Sequence, residues 1–304
     1  MSHALLIDLS LCVGCGACRT ACQEIHHFPD EENTVLNDKN FTLLEHHQLK
    51  DGSEMWVRRM CQHCVEPACA SACLVGALEK TADGAVTWDT NKCIGCRYCM
   101  LACPFDIPKY EWHAMSPKVR KCTMCHAERH LTTDMKTDKN GFVLDRRGER
   151  MVIEDRTIKI EDRDHVIELT TAADGGRATA CSVACPAEAT LYGDRETLLA
   201  EATRRIKEAP DSYVQKVYGK SEVGGTSVFY ISPMPFEDLG FITKVEHTPL
   251  PEKTWNVLKH IPNVVVTAGV ALGAVYWITS RRDEVRRFEE EQAANKKDGG
   301  NHGA

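Results

Sequence analysis

The stretch CIGCRYCMLACP, residues 93–104, decides the fold of this chain. Its four cysteines are separated by two, two and three residues, and a proline follows the last of them. Residues 12–22 repeat this spacing, and two further runs, 61–73 and 122–185, stretch the middle gap to four and to fifty-five residues. The four runs together use all 16 cysteines of the 304-residue chain. Every cysteine belongs to one of these runs, so we expect all of them to have the same structural role.

The spacing within the runs indicates iron-sulfur clusters. A ligand set made only of thiolates selects zinc, copper(I) or iron-sulfur clusters over hard cations. Structural zinc sites use paired C-x2-C knuckles that stand about a dozen or more residues apart. Three cysteines spaced two apart can instead wrap one loop around one face of a cube, and disulfides at these spacings would close strained, very short loops. We therefore expect four 4Fe-4S clusters.

One motif within the fourth run has a competing interpretation. Cys122, Cys125 and His126 match C-x-x-C-H, the attachment motif of a c-type haem. A haem on these two cysteines would leave Cys22 and the pair at 181 and 185 without partners, and two clusters could not close. We therefore expect His126 to be a polar residue beside a cluster.

The pairing of the cysteines follows from the rule that the last cysteine of a ferredoxin run ligates the neighbouring cluster. The second and third runs flank a predicted hairpin, with strands at 77–81 and 85–89 and a turn at Asp83-Gly84. This is the layout of a two-cluster ferredoxin, and the outer runs pair by the same logic. The predicted ligands are Cys12, Cys15, Cys18 and Cys185 for cluster A, Cys22, Cys122, Cys125 and Cys181 for cluster B, Cys61, Cys64, Cys69 and Cys103 for cluster C, and Cys73, Cys93, Cys96 and Cys99 for cluster D.

The fold class that follows is α+β, with two nested, pseudo-symmetric bacterial ferredoxin-like modules in a domain of residues 1–245. The inner module, 58–112, is inserted in an outer module formed by 1–32 and 113–210. Period-2 alternation predicts β structure around Asp51-Gly52 and within an insertion at 131–180, whose role is to cover a cluster, to meet a partner or merely to decorate the surface. Residues 196–209 are predicted to form an amphipathic helix.

Composition and charge exclude several classes of function. The content of 43% hydrophobic and 27% charged residues is that of an ordinary globular protein, and a net charge of -7 without a basic stripe argues against nucleic acid as a partner. We find no acid-base pair, nucleophile motif or phosphate-binding glycine loop, so no catalytic residue is predicted. The basic residues beside the cysteine runs could raise cluster potentials or simply be solvated; these are Arg19, Lys92, Arg97 and Lys121.

A membrane anchor is predicted at 246–282, followed by a charged, disordered tail at 283–304. Residues 261–280 carry no charge, and twenty helical residues cover roughly 30 Å, the thickness of the hydrocarbon core of a bilayer. Trp255 and Trp277 lie near the two ends of this run, as interfacial aromatic residues do. Gly269 and Gly273 would let one helix face pack closely on a partner helix. The alternative is a buried core helix.

Basic residues predict the orientation of this anchor, because the side rich in lysine and arginine stays in the cytoplasm. Six basic residues follow the apolar run within the last 24 residues, whereas three stand at a similar distance before it. We therefore expect a cytoplasmic C-terminus and a periplasmic cluster domain. The first residues contain no export signal, so we expect export together with a signal-bearing partner. A cytoplasmic cluster domain is the alternative.

Together with the cysteine pattern, the stretches 96–112 (CRYCMLACPFDIPKYEW) and 218–226 carry a resemblance to a known family. The chain resembles the iron-sulfur β subunit of membrane-bound respiratory formate dehydrogenases and the similar subunit of uptake hydrogenases. The resemblance implies that four 4Fe-4S clusters carry electrons from a catalytic subunit to an integral membrane, quinone-reactive subunit. The catalytic subunit holds molybdenum or tungsten bisMGD for formate, or nickel-iron for hydrogen.

Two departures from the family pattern leave the catalytic partner open. The insertion at 131–180 replaces a short link, and residues 227–241 resemble the hydrogenase-associated members at least as well. The electron-transfer subunits of dimethyl sulfoxide and polysulfide reductases are a broader alternative. Two other hypotheses are a self-contained redox enzyme, which would need an open iron site, and a zinc scaffold without redox activity.

Overall fold

A computed structural model describes residues 2–29, 33–49, 52–129, 143–144, 150–154, 157–162, 165–169 and 178–298. The chain divides into a large unit, Met1–Pro251, and a small one, Glu252–Ala304. The strands described are β1 His3–Asp8, β2 Leu43–Gln48, β3 Glu54–Arg59, β4 Leu78–Lys80, β5 Val86–Trp88, β6 Lys109–Tyr110, β7 Val119–Arg120, β8 Val143–Leu144, β9 Arg150–Glu154, β10 Thr157–Asp162, β11 His165–Leu169, β12 Thr190–Asp194 and β13 Val228–Ile231. The α-helices described are α1 Ala17–Ile25, α2 Ala68–Ser71, α3 Tyr98–Ala102, α4 His126–Arg129, α5 Ala180–Val183, α6 Arg195–Glu208, α7 Leu250–Leu258 and α8 Ile261–Asp298.

A three-stranded sheet forms the centre of the large unit, in the order β12-β1-β13. β1 is antiparallel to β12 and parallel to β13, so it is covered on both edges. Its side chains alternate between two cores because successive residues of a strand point to opposite faces. Leu6 packs with Leu198 and Ile206 of α6, whereas Leu5 and Ile7 pack in the core that also holds buried cysteines.

Helix α6 covers the first of these faces, and the sequence places it correctly to within one residue at each end. Asp194 is its N-cap, with a side-chain oxygen that accepts hydrogen bonds from the backbone N–H groups of Glu196 at 3.1 Å and Thr197 at 3.0 Å. These bonds satisfy donors that have no partner within the helix.

The predicted hairpin between the second and third cysteine runs is confirmed, because β4 pairs antiparallel with β5. Its turn residue Gly84 has φ +95°, and a Cβ there would lie 2.4 Å from the carbonyl oxygen of His3. A second hairpin, β2 with β3, forms on either side of the Asp51-Gly52 position. Within 131–180, the described segments form a four-stranded sheet in the order β11-β10-β9-β8, and the remainder of that insertion lies outside the described residues.

In the small unit, residues 252–298 are almost entirely helical, and nearly all of those up to 293 are exposed. The segment Leu250–Ala293 contains the single candidate membrane span found in the described part of the chain. Helix α8 continues to Asp298, which corrects the disordered tail predicted from residue 283; residues 299–304 lie outside the description. The residues after 280 are mostly good helix formers, and ion pairs such as Arg281–Glu284 at 3.0 Å join neighbouring turns. A helix that has already formed therefore extends at little cost.

Candidate functional site

The cysteine runs share one local structure, a loop that leads into a short helix. The loops contain residues in the left-handed conformation, among them Gly14 at φ +70°, Gly95 at φ +74° and Arg97 at φ +63°. Glycine adopts this conformation without the strain that a Cβ causes. The third cysteine of each run lies on a helix, and these helices are α1, α2, α3 and α5. In the fourth run the loop is followed first by α4, and Cys181 lies on the later helix α5.

The predicted ligands of cluster A meet at the end of the first loop. Burial raises the pKa of the Cys12 thiol, a backbone hydrogen bond from Gly14 lowers it, and the nearby thiols of Cys185 and Cys15 raise it. Cys18 interacts electrostatically with Cys12 and Cys185 as well. Cys15 is exposed, and the other three are half-buried. The structure thus brings Cys185, the last cysteine of the fourth run, near the first run.

The predicted ligands of cluster B are all buried. Helices α1 and α5 pack against each other, which brings Cys22 near Cys181. Burial raises the pKa of Cys22 well above the ordinary thiol value, and the nearby thiols of Cys122 and Cys181 add to this. The backbone N–H of Met124 donates to Cys122 Sγ at 3.3 Å, and Thr179 Oγ1 lies 3.3 Å from Cys181 Sγ.

The predicted ligands of cluster C form a third group. Burial raises the pKa of Cys64, and the thiols of Cys61, Cys103 and Cys69 raise it further. Burial also raises the pKa of Cys103 to about 11, although hydrogen bonds from the backbone N–H groups of Ile107 and Phe105 lower this pKa. Thiols with raised pKa values hold their protons at neutral pH, so these groups need cations or a metal centre to carry thiolates.

The predicted ligands of cluster D line one small pocket. Three hydrogen bonds point at their sulfur atoms: Ala77 N–H donates to Cys73 at 3.1 Å, Val119 N–H donates to Cys93 at 3.5 Å, and Tyr110 Oη lies 3.0 Å from Cys99. The donor set is four sulfur atoms around a shared space, with hydrogen bonds that favour the thiolate form. These residues fit a thiolate-bound cluster. A wider, open cleft of about 530 Å³ lies beside His26, His113 and Arg120, and none of the predicted ligands is on its wall.

The four groups of thiols are also neighbours of one another in a definite order. Cys18 of group A interacts with Cys181 of group B, and Cys122 of group B interacts with Cys61 of group C. Cys69 of group C interacts with Cys99 of group D. Among the residues described, no three His, Cys, Asp or Glu side chains are spaced to hold a single metal ion.

The basic residues singled out in the sequence have different surroundings. Lys121 is buried, and its Nζ donates to the carbonyl oxygens of Val86 and Cys122. Lys92 is exposed near Asp89, so it is a solvated surface charge. Arg97 is exposed and stacks over the ring of Trp112.

The remaining two sequence assignments concern Arg19 and His126. Arg19 is half-buried on α1, between Cys18 and Cys22. His126 is half-buried, and its Nδ1 lies 3.1 Å from Asp83 Oδ2, which fits a polar residue next to a cysteine loop.

Two cations near the thiols, the buried Arg58 and the half-buried Lys80, were not predicted from the sequence. Arg58 is 2% exposed and interacts with cysteines of groups A and B. Burial lowers the pKa of Lys80 to about 8, against the attraction of the Cys64 and Cys61 thiols. Neither residue lies inside a cysteine run, so the spacing gave no reason to select them. For Arg58, its position three residues before Cys61 was the one available signal.

Comparison with known proteins identifies 4Fe-4S binding domains in this chain. Residues 53–141 match the family model of a 4Fe-4S dicluster domain, and residues 5–24 match that of a 4Fe-4S binding domain. The chain is 32% identical to a protein of Nitratidesulfovibrio vulgaris, over 96% of this chain and 70% of that protein. It is 30% identical to the hydrogenase-2 operon protein HybA of Escherichia coli O157:H7, over 78% of this chain and 72% of that protein.

A further relative is the formate dehydrogenase-O iron-sulfur subunit of Escherichia coli K12, which is 28% identical over 75% of this chain and 66% of that subunit. The resemblance inferred from the cysteine runs is therefore confirmed. The chain belongs to the family of 4Fe-4S electron-transfer subunits that includes HybA and the formate dehydrogenase iron-sulfur subunits.

Proposed function

We propose that this chain carries electrons through four 4Fe-4S clusters, between a catalytic subunit and an integral membrane, quinone-reactive subunit. The observation that carries the proposal is the linear order of the thiol groups, A to B to C to D. An exposed cysteine stands at each end of this order, Cys15 in group A and Cys96 in group D. The inner groups B and C contain no exposed cysteine. Electrons would thus enter at one end group and leave at the other.

The bound clusters would supply reversible one-electron transfer, and the protein would position them and adjust their potentials. Backbone N–H groups at Ala77, Val119 and Met124 donate to ligand sulfur atoms, which stabilises the added negative charge on reduction. The cysteines of group B are all buried and group C has no exposed cysteine, which would limit the access of water and keep the local dielectric constant low. Each transfer moves one electron and neither makes nor breaks a bond in the protein.

The apolar helix would anchor the subunit beside its membrane partner. Its C-terminal side carries the excess of arginine and lysine, which supports a cytoplasmic C-terminus and a periplasmic cluster domain. A formate dehydrogenase-like catalytic subunit is the first candidate partner. The similarity to HybA favours a nickel-iron hydrogenase as the second candidate. A molybdopterin reductase of the dimethyl sulfoxide or polysulfide type remains a third.

Purification in mild detergent, with mass spectrometry of the proteins that co-purify, tests the proposal. A molybdopterin subunit identifies the formate dehydrogenase or reductase alternatives, and a nickel-iron subunit identifies the hydrogenase. Metal analysis of the same sample distinguishes the two chemistries. Recovery of the chain alone, in the soluble fraction without detergent, would contradict the proposed complex.

A further inference from the structure

Arg58 is a buried charge without a carboxylate partner among the described residues. It lies on β3 and is 2% exposed. Its Nε donates to Thr42 Oγ1 at 2.8 Å, and Nη1 donates to Thr190 Oγ1 at 3.3 Å. Both acceptors are neutral hydroxyls. A buried guanidinium is costly unless an anion compensates it, so the surroundings must supply negative charge.

The thiols of two predicted clusters surround this guanidinium. Arg58 lies close enough to Cys181 and Cys18 to interact with both of them electrostatically. Its positive charge also lowers the pKa of Cys12 and of Cys22, against the larger effect of burial. Cys12 and Cys18 belong to group A, whereas Cys22 and Cys181 belong to group B. Arg58 therefore lies at the junction between the first two groups.

The strand geometry explains how a residue outside the cysteine runs reaches this junction. Alternate residues of β3 point to the same face. Trp56, two residues before Arg58, covers the first cysteine loop so closely that a Cβ on Gly14 would lie 2.3 Å from its ring. The same face of β3 thus carries both the cover of that loop and the buried charge beside it.

A guanidinium keeps its proton even when it is buried, because arginine is a very strong base. The side chain is therefore a fixed positive charge at every pH at which the protein folds. Reduction of a cluster adds one negative charge to it. A fixed positive charge nearby, at low dielectric, stabilises the reduced form and raises the reduction potential.

We propose that the positive charge of Arg58 raises the reduction potentials of clusters A and B together. The difference between these two potentials therefore stays small, and an electron can pass between the two clusters at little cost. This inference rests on the proposed function, because it needs clusters at both groups. The negative charge of the two bound clusters would compensate the guanidinium charge, as a carboxylate does for other buried arginines.

Arg59 provides a matched control on the same strand. It points to the opposite face, where its Nε donates to Glu45 Oε2 at 2.7 Å and its Nη2 donates to Leu239 O at 2.6 Å. The guanidinium also stacks over the ring of Phe241. Because the Glu45 carboxylate already balances the charge of Arg59, removal of the Arg59 guanidinium should not change the electrostatic potential at the clusters.

The test is an EPR-monitored redox titration of the purified complex, with wild type, Arg58→Gln, Arg58→Lys and Arg59→Gln compared. In Arg58→Gln we expect two of the four midpoint potentials to fall, each by at least a tenfold change in the reduction equilibrium, which is about 59 mV for a one-electron couple. The other two midpoint potentials should be the same as in the wild type. Arg58→Lys keeps the charge and should retain all four potentials, as should Arg59→Gln.

A second variant covers the case in which Arg58→Gln does not assemble its clusters. Thr42→Asp places a carboxylate where Arg58 now meets a hydroxyl, so it neutralises the charge without removing the side chain. The same two potentials should fall. Unchanged potentials in the neutralised variants, or an equal fall of all four, would overturn the inference. A wild-type protein with fewer than four clusters would instead overturn the proposed function, so the two failures are distinguishable.

Discussion

Gly95→Ala should selectively disrupt the site of cluster D. Gly95 has φ +74°, and a Cβ there would lie 2.5 Å from the carbonyl oxygen of Pro117. That oxygen belongs to the backbone, so the backbone around Pro117 would have to move about 0.9 Å away from the new methyl group to reach ordinary van der Waals contact. The same segment holds the third run, because Lys118 Nζ donates to Cys93 O at 2.6 Å and Val119 N–H donates to Cys93 Sγ.

The cost of this substitution has two parts. A residue other than glycine in the left-handed conformation costs roughly 1–2 kcal/mol. The displaced segment also loses hydrogen bonds worth about 1 kcal/mol each, so we expect a total of roughly 2–4 kcal/mol. Gly76 is the matched control, because it has φ +60° and a Cβ there meets nothing within 4 Å. Gly76→Ala should show the conformational cost alone.

The assay is iron content per chain together with urea unfolding of the purified holoprotein. Gly95→Ala should lose about four of roughly sixteen iron atoms, the content of one 4Fe-4S cluster. Gly76→Ala should keep its iron. If Gly95→Ala retains all its iron and is as stable as Gly76→Ala, the contact with Pro117 does not hold the loop, and the reasoning is refuted.

Three further predictions follow from single contacts. Tyr110→Phe removes the hydroxyl next to Cys99 Sγ, so in a redox titration the potential of one cluster should fall while the other three stay; four unchanged potentials would contradict this. Asp194→Ala removes the N-cap of α6 and should lower the free energy of unfolding by about 1 kcal/mol, measured with urea, whereas Asp194→Ser should retain most of it. Burial raises the pKa of Glu222, but the ion pair with Lys216 outweighs it and lowers the folded-state pKa below the ordinary 4.5. The carboxylate therefore stabilises the fold above that pH and loses its contribution as the pH falls through the lowered value, so Glu222→Gln should flatten the dependence of stability on pH on the acid side of 4.5; an unchanged slope would contradict the assignment.

The cysteine runs made much of the site predictable because ligand spacing is a local property of the sequence. The crossing of the last cysteine to another group is supported by the proximity of Cys12 to Cys185 and of Cys64 to Cys103. The hairpin of β4 and β5 was predictable because its turn, Asp83-Gly84, needs a residue that accepts a positive φ.

Features that depend on long-range packing were not predictable. The parallel pairing of Leu5 with Val228 joins segments from opposite ends of the large unit, and no local pattern indicates it. Nothing in the sequence distinguishes Arg58 from an ordinary arginine on a half-exposed strand, because only the tertiary fold brings it near Cys181. The extension of α8 to Asp298 was missed because a charged composition was taken for disorder, although the same residues favour a helix.

The most direct test of the account is the cluster content of the anaerobically purified holoprotein, measured by iron and acid-labile sulfide analysis together with low-temperature EPR after dithionite reduction. We predict about sixteen iron and sixteen sulfide per chain, with the magnetically coupled signals of neighbouring 4Fe-4S clusters. Stoichiometric zinc without such signals would contradict it, because the sixteen cysteines would then form a scaffold and not an electron-transfer chain.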